Sequence, residues 1–571
     1  MALESDIARW TDAQSLASGK RCVAQMQGLV TAGVPIGGVG FQRGYAWSKL
    51  AEHEYAHEQL EKLTDVQAAY LLLRYSLSVR FQFLIGMLGP VAATAGGADS
   101  SPTAAFDARL HRSLSFLLTN PQEAQETRMQ QAAQGLDRAA WMQAQLRAKD
   151  GGLTLTGADT HYAAVHLARS AKVLPYIIAH AEDYNMTPGD LSALPHIPFF
   201  DGMRHTLQRL HDQSSDAELR WPDLQHLLSD ENMNQHLISE GVYLKLRSEV
   251  LSMQKDDRQR ARVLSAGGHH AGSWLAAFPV SLWTTARGRH YSLALNMRLG
   301  RPLPELLSNL GTPKFCGASG CAQQHDVFGF HPSMCRAGNR WGLWTVRHDA
   351  FQMSMTHAVR RAGRQAVTCS QGSGNWLGAA AVRRGAKSGY KRTDFVMPNF
   401  YGPGRHLFVD NAITCPTIGS ALTATPSSAV AAGVAADQRA AKKSDKYARL
   451  AQGVDSFFAA AVVERFGACS ESLVGLIKMI VGDRERDALR DEEYTFSTAS
   501  CSTHMASQLV FAAVMADAAM IERVLDVDGT QGATPGVAHV GAPQRGAIAL
   551  PPTQRQIEGS GGRMFYEASH W

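Results

Sequence analysis

Three of the chain's eight cysteines fall between Cys316 and Cys335, in the company of two histidines, His325 and His331. The spacing Cys316-x4-Cys321-x9-His331-x3-Cys335 pairs two close thiols with a His and a Cys across a glycine-containing loop. Thiolates and imidazole at this spacing suit a tetrahedral Zn²⁺, bound at about 2.0–2.3 Å. So short a loop cannot bury a core, and the ion would supply its folding energy directly. Four protein ligands leave no open coordination position, so the metal is expected to be structural. The alternative is a set of buried structural cysteines. His325 is a spare, expected at the surface.

A second group is acidic and basic. Asp394 in KRTDF and Asp410 in FVDNAIT sit beside strand-like residues, and Lys442, Lys443 and Lys446 follow on a helix-like segment. Two carboxylates on neighbouring strands can hold a divalent cation through oxygen. A nearby lysine can orient a water, and the ion can polarise a phosphodiester. The bland reading is two strand-end aspartates and a solvated basic helix. From Arg336 to Arg405 there are twelve Lys/Arg against two acids, Asp349 and Asp394. Arg336, Arg340, Arg347, Arg360, Arg361 and Arg364 could neutralise phosphates. Trp341, Trp344 and Phe351 are interleaved with them and could stack on bases or belong to a core.

These residues need elements to position them. With 571 residues, the chain exceeds a single core. A 45% hydrophobic, 19% charged composition excludes wholesale disorder, and the net charge of +5 is mild for this length. Residues 1–100 pair a Gly-rich break with a long helical pattern, and Asp65 is placed to start a new helix. The composition of 91–104 reads as a linker. Residues 101–265 carry a 3.6-residue period almost throughout, 266–310 form a connecting unit, and the knuckle spans 311–340. Strand-like QAVTCS, TDFVMPNF, HLFVDNAITCP and AAAVVERFG alternate with helical segments over 341–470, which predicts an α/β unit. Residues 471–526 read as helices. The Gly/Pro-rich stretch 527–571 is expected to be disordered.

The expected fold class is therefore multidomain, α plus α/β, with a mostly helical N-terminal half. No stretch of about 18 uncharged apolar residues occurs, so no membrane partner is expected. The start lacks an apolar leader segment. Uneven, sparse cysteines suit a reducing compartment, nuclear or cytoplasmic.

Together the pieces resemble the C-terminal part of non-LTR retrotransposon polyproteins, a zinc knuckle followed by a restriction-endonuclease-like domain of the PD-(D/E)XK class. The resemblance rests on DVFGFHPSMC within the knuckle and on Arg347-His348-Asp349. It continues through Arg392-x-Asp394, Val409-Asp410-x-x-x-Thr414, KKSDKYARL and AVVERFG. It spans roughly 311–470. A weaker similarity near the start, MQGLVTAGVPIGGVGF and LTDVQAAYLLLRYSLSVRFQFL, looks like the end of a reverse-transcriptase palm and its thumb. No paired polymerase aspartates precede it, so the resemblance implies a fragment that is not a competent polymerase. An upstream polymerase portion of the same element would be its partner.

The resemblance implies an α/β core with a mixed sheet flanked by helices. It implies a Mg²⁺-dependent DNA endonuclease in which Asp394 and Asp410 hold the ion and Lys443, with Lys446, serves the water. DNA or RNA would be held by Arg336, Arg340, Arg347, His348, Arg360, Arg361, Arg364 and Arg392. The sequence departs from the family at Gln371, where a Glu is usual, and at Thr393, where a Pro is usual. Glu464 falls at a strand end, at the site rim or on the surface. Two further readings follow from the same residues. One is a zinc-stabilised nucleic-acid-binding remnant that does not cut, and the other is a helical interaction protein.

Overall fold

A computed structural model describes residues 28–94, 101–182, 198–213, 235–306, 313–338, 340–369, 393–482 and 500–530. The first described element is a hairpin, β1 (Gly28–Thr31) and β2 (Val34–Gly37), turned by Ala32 and Gly33 at positive φ. Helix α1 (Val39–Glu61) follows. As its sequence position predicts, Asp65 caps the next short helix, Val66–Leu72, and accepts from the Ala68 N–H at 3.1 Å.

Both described ends of the segment 91–104, read as a linker by composition, belong to helices, and 95–100 lie outside the described residues. Residues 91–94 are helical, with Ala92 and Ala93 fully buried. Ser101 caps α2 (Pro102–Leu117) by accepting from Ala104, and Pro102 occupies the first turn, where a missing N–H costs nothing. Helices α3 (Ala158–Glu182), α4 (Pro198–Gln213) and α5 (Gln235–Met253) pack with their own apolar cluster around Leu167, Phe200, Met203 and Val242. Helix α6 (Gly288–Leu299) leads towards the cysteine segment.

The second half holds a four-stranded mixed sheet in the order β3 (Val367–Thr368), β4 (Phe395–Met397), β5 (Leu407–Thr414), β6 (Phe457–Glu464). The first two pairings are antiparallel and β5–β6 is parallel. A parallel neighbour needs a crossover, and α9 (Val434–Gln452) supplies it. Helices α7 (Phe330–Met334), α8 (Arg340–Arg361), α10 (Glu471–Val481) and α11 (Cys501–Thr530) complete the layers. α11 carries the chain to Thr530, four residues into the stretch expected to be disordered, and the rest of that stretch lies outside the described residues.

β5 and β6 are covered on both faces, which explains their near-continuous burial. Strand alternation sorts the residues. Ala412, Ala460 and Val462 meet Ala436 and Ala440 of α9. Val409, Ile413, Ala461 and Val463 join Phe351 and Met355 of α8 and Leu509 of α11 in the largest apolar cluster. That cluster runs from Ala46 to Leu525, so the N-terminal helices and the sheet share buried contacts. Among the described residues no helix is long and apolar enough to cross a membrane.

Candidate metal centre and acidic site

The cysteine segment folds as a short hairpin. Phe315 and Gln324 form an isolated bridge, and Cys316 N–H donates to Gln323 O at 2.9 Å. Asp326 then caps the turn into α7, accepting from the N–H groups of Phe328, Phe330 and His331. The result places the ligand atoms of Cys316, Cys321, His331 and Cys335 within 4.8 Å of one another. Cys316 Sγ lies 3.7 Å from Cys335 Sγ, and Cys321 Sγ 3.5 Å from His331 Nε2. A tetrahedral ion at about 2.3 Å from sulfur and about 2.0 Å from nitrogen would set those separations at roughly 3.8 and 3.5 Å. The cluster could therefore hold a metal ion.

Burial pushes the Cys335 thiol up to about 11. A thiol raised in this way keeps its proton at neutral pH, so metal binding there would be coupled to proton release. His325 is not at the surface. It is 2% exposed, and its ring lies 5.4 Å from that of His331.

The second constellation is built where β4 begins. The register Phe395↔Val409 carried back one residue sets Asp394 opposite Asp410. The regular ladder stops there. The Asn411 N–H donates to the Asp394 carboxylate, through Oδ2, instead of to a strand carbonyl. The Asp394 backbone is pinned on both sides. Its N–H donates to Val409 O at 3.0 Å, and its carbonyl accepts from Cys369 N–H and from the Gln352 side chain, each at 2.9 Å. His348 of α8 brings Nε2 to 3.1 Å from Asp394 Oδ2. From the opposite face, Lys443 of α9 pairs with Asp410 Oδ2. Asp410 and Lys443 are both buried. The bland picture of a wholly solvated basic helix thus fails at Lys443.

The two carboxylates differ in their surroundings. Burial, joined by the charge of Asp394, pushes Asp410 up to about 6 against the pull of Lys443. Burial also opposes ionisation of Asp394. The bond to His348, the Asn411 N–H and the Lys443 charge outweigh it and hold the group below the usual carboxylate range. His348 is raised in turn, chiefly by its bond to Asp394. Two acids pushed apart in this way are a pattern of functional sites.

The other residues named from the sequence divide. Lys446 is exposed and donates to the hydroxyl of Tyr447, its own neighbour, at 2.8 Å. Arg347 is not available to phosphates. It is 5% exposed and pairs with the fully buried Asp517 at 2.6 Å, because α11 brings an acid under α8. Phe351 is core and fully buried, so it is no stacking platform. The Trp344 indole N–H donates to Cys335 O at 3.1 Å, and its ring meets the guanidinium groups of Arg336 and Arg347.

Arg336 is exposed beside the knuckle. Arg360 donates to Ala366 O at 2.9 Å, and Arg361 lines a small cleft against α11. Arg364 lies over the Phe400 ring. At about 1.5 Å per residue, Arg360 stands roughly 18 Å along α8 from His348. The basic residues thus do not form one patch. Arg340 opens α8. Arg392 and Gln371 lie outside the described residues.

Glu464 is neither a rim nor a surface residue. It is fully buried at the end of β6 and accepts from the N–H groups of Ala435 and Ala436, the first turn of α9. Its hydrogen bonds run across the crossover, so nothing near it in sequence signals burial. Burial pushes it up to about 7. Between about 4.5 and 7 the folded state therefore holds more protons at this group than the unfolded chain, and its contribution to stability falls as pH rises. Glu464→Gln keeps an oxygen for the helix and removes the charge. Chemical denaturation from pH 4.5 to 7.5 should show the variant losing less stability than the parent, by up to ~3 kcal/mol. No family model matches the chain, and no curated protein matches it either.

Proposed function

We propose that this chain is a nucleic-acid-binding protein with a structural zinc knuckle and a Mg²⁺-dependent phosphodiester-cleaving site, descended from a non-LTR retroelement. The observation that carries the reading is the convergence of Asp394, Asp410 and Lys443 where β4, β5 and α9 meet. Restriction-endonuclease-like order along the sequence, acid, acid, then lysine on the crossover helix, supports it.

The donor set fits such an ion, since two carboxylates offer the hard oxygens that magnesium takes. One oxygen of each is engaged, by Asn411 and His348 on Asp394 and by Lys443 on Asp410. The remaining oxygen of each would serve the cation. A bound ion would polarise the phosphodiester and stabilise charge on the leaving oxygen. Lys443 would orient the attacking water, and His348 would keep Asp394 ionised. The three thiols and imidazole of the knuckle match zinc in ligand type and spacing.

The test is nicking of supercoiled DNA with and without Mg²⁺. Asp410→Ala is expected to cut at least about 100-fold more slowly while still binding DNA. Equal cutting by both proteins would remove the assignment. One observation favours a second reading, a binding remnant that does not cut: Lys443 already holds an Asp410 oxygen that a cation would compete for. That reading predicts salt-sensitive binding and no Mg²⁺-dependent product.

A further inference from the structure

The cleft between the knuckle and the sheet belongs to neither site described above. It has a volume of about 190 Å³. Arg336 reaches it from the residue after Cys335, and Arg439 and Lys442 reach it from α9. Thr414 at the end of β5 and Ser420 add hydroxyls, and Gln438 adds an amide. No carboxylate lines it among the described residues. Arg347 also borders it, with its charge balanced by Asp517. Three exposed cations and the hydroxyls of Thr414 and Ser420 are the complement of a phosphate group, in a hollow that Met334, Trp344, Ile413 and Ile418 also line and where the Ser333 hydroxyl is taken by Asp517.

Its position is set by the same two elements that hold the acid pair. Lys443 meets Asp410, and Arg439 stands one turn earlier on α9, about 6 Å along the axis. Thr414 stands four residues after Asp410, about 13 Å along the strand. The cleft's cations and hydroxyls are therefore displaced from the acid pair along both elements, by about 6 Å on α9 counted from Lys443 and about 13 Å on β5 counted from Asp410. That is too far to hold the phosphate they would act on and near enough for another on the same strand.

We propose that this cleft seats one non-scissile backbone phosphate of a nucleic acid and so sets the register of the strand over Asp394 and Asp410. The proposal rests on the nucleic-acid reading above and goes beyond it. It assigns Arg439, Lys442, Thr414 and Ser420 to substrate contact, and it gives the knuckle a part in binding through Arg336. Cys335 would hold the ion, which would fix the backbone there, and the next side chain is the one that contacts the phosphate.

The experiment compares the full chain with Arg336→Gln/Arg439→Gln/Lys442→Gln. It measures affinity for a duplex oligonucleotide without divalent ions across a salt series. All three side chains are exposed, so the melting curve should not move. The expected result is a Kd raised about tenfold or more near 0.1 M salt, with the log–log salt slope lowered by about one, as for one phosphate. A slope lowered by about three would mean separate phosphates and would overturn the single seat. So would unchanged affinity, or a parent chain that binds no duplex. Nicking with Mg²⁺, measured beside binding, separates the two claims. A parent that binds with this salt dependence but never nicks leaves the seat standing and removes the chemistry. A parent that nicks while the triple variant binds normally removes the seat alone.

Discussion

Stripping the metal from the knuckle is expected to unfold its cysteine hairpin, residues 313–327, while much of the chain stays folded. The hairpin's apolar content is a cluster of Cys316, Ala318 and Cys335 with Cys321 and Ala337 against it, whereas Phe330 of α7 is buried in the main core. Such a cluster cannot offset the entropy of ordering some fifteen residues at about 1–2 kcal/mol each. Structural zinc supplies about 10–16 kcal/mol in small peptides. The parent should carry one equivalent of zinc by atomic absorption, and Cys316→Ser should carry close to none. A strong chelator should make 313–327 sensitive to limited proteolysis. It should also lower the temperature at which Trp344 fluorescence changes, since that indole is bonded to Cys335 O. Acidification should release the ion, because each thiolate that takes up a proton is a ligand lost. Unchanged zinc content in the variant, or a knuckle resistant to protease after chelation, would refute the metal assignment.

Asp517→Ala is expected to destabilise the protein by about 3–5 kcal/mol. Asp517 is fully buried in α11 and faces two guanidinium groups: Arg347 at 2.6 Å and Arg465, also fully buried, at 3.1 Å. Ser333 of α7 donates to the same carboxylate at 3.3 Å. One acid therefore ties together the knuckle's helix, α8, the end of β6 and α11. Removing it leaves two buried cations without a counter-charge, the costly way to break such a group. Chemical denaturation of the variant, with the exposed Asp445→Ala as control, checks the figure. The control should stay within about 0.5 kcal/mol of the parent. A similarly small loss at Asp517 would mean that solvent reaches the triad.

What could be read from the chain was what its short-range chemistry dictates. The ligand spacing of Cys316, Cys321, His331 and Cys335 needs only one hairpin and one turn to close, and the structure closes them. Asp65 as a helix start follows from its own side chain and an N–H three residues on. The strand-like segments around Asp394 and Asp410 pair as neighbours because a short connection joins them. The composition of 91–104 did not show that its described ends are helical, since Ala in such a stretch reads as linker and yet Ala92 and Ala93 pack as helix once a core lies beneath them.

The sequence by itself determined the chelating cluster, the runs that become β4, β5 and β6, and the carriers of charge. It could not assign those charges. Arg347 meets Asp517 across 170 residues, and Glu464 meets the first turn of α9 across nearly thirty. His348 reaches Asp394 across 46. Only the tertiary structure decided which arginine is an internal counter-ion, which glutamate is a buried cap and which histidine steadies an acid. The reason is physical. Spacing fixes what neighbours along the chain can do, whereas the worth of a charge depends on how far packing removes it from water and on what packing sets beside it.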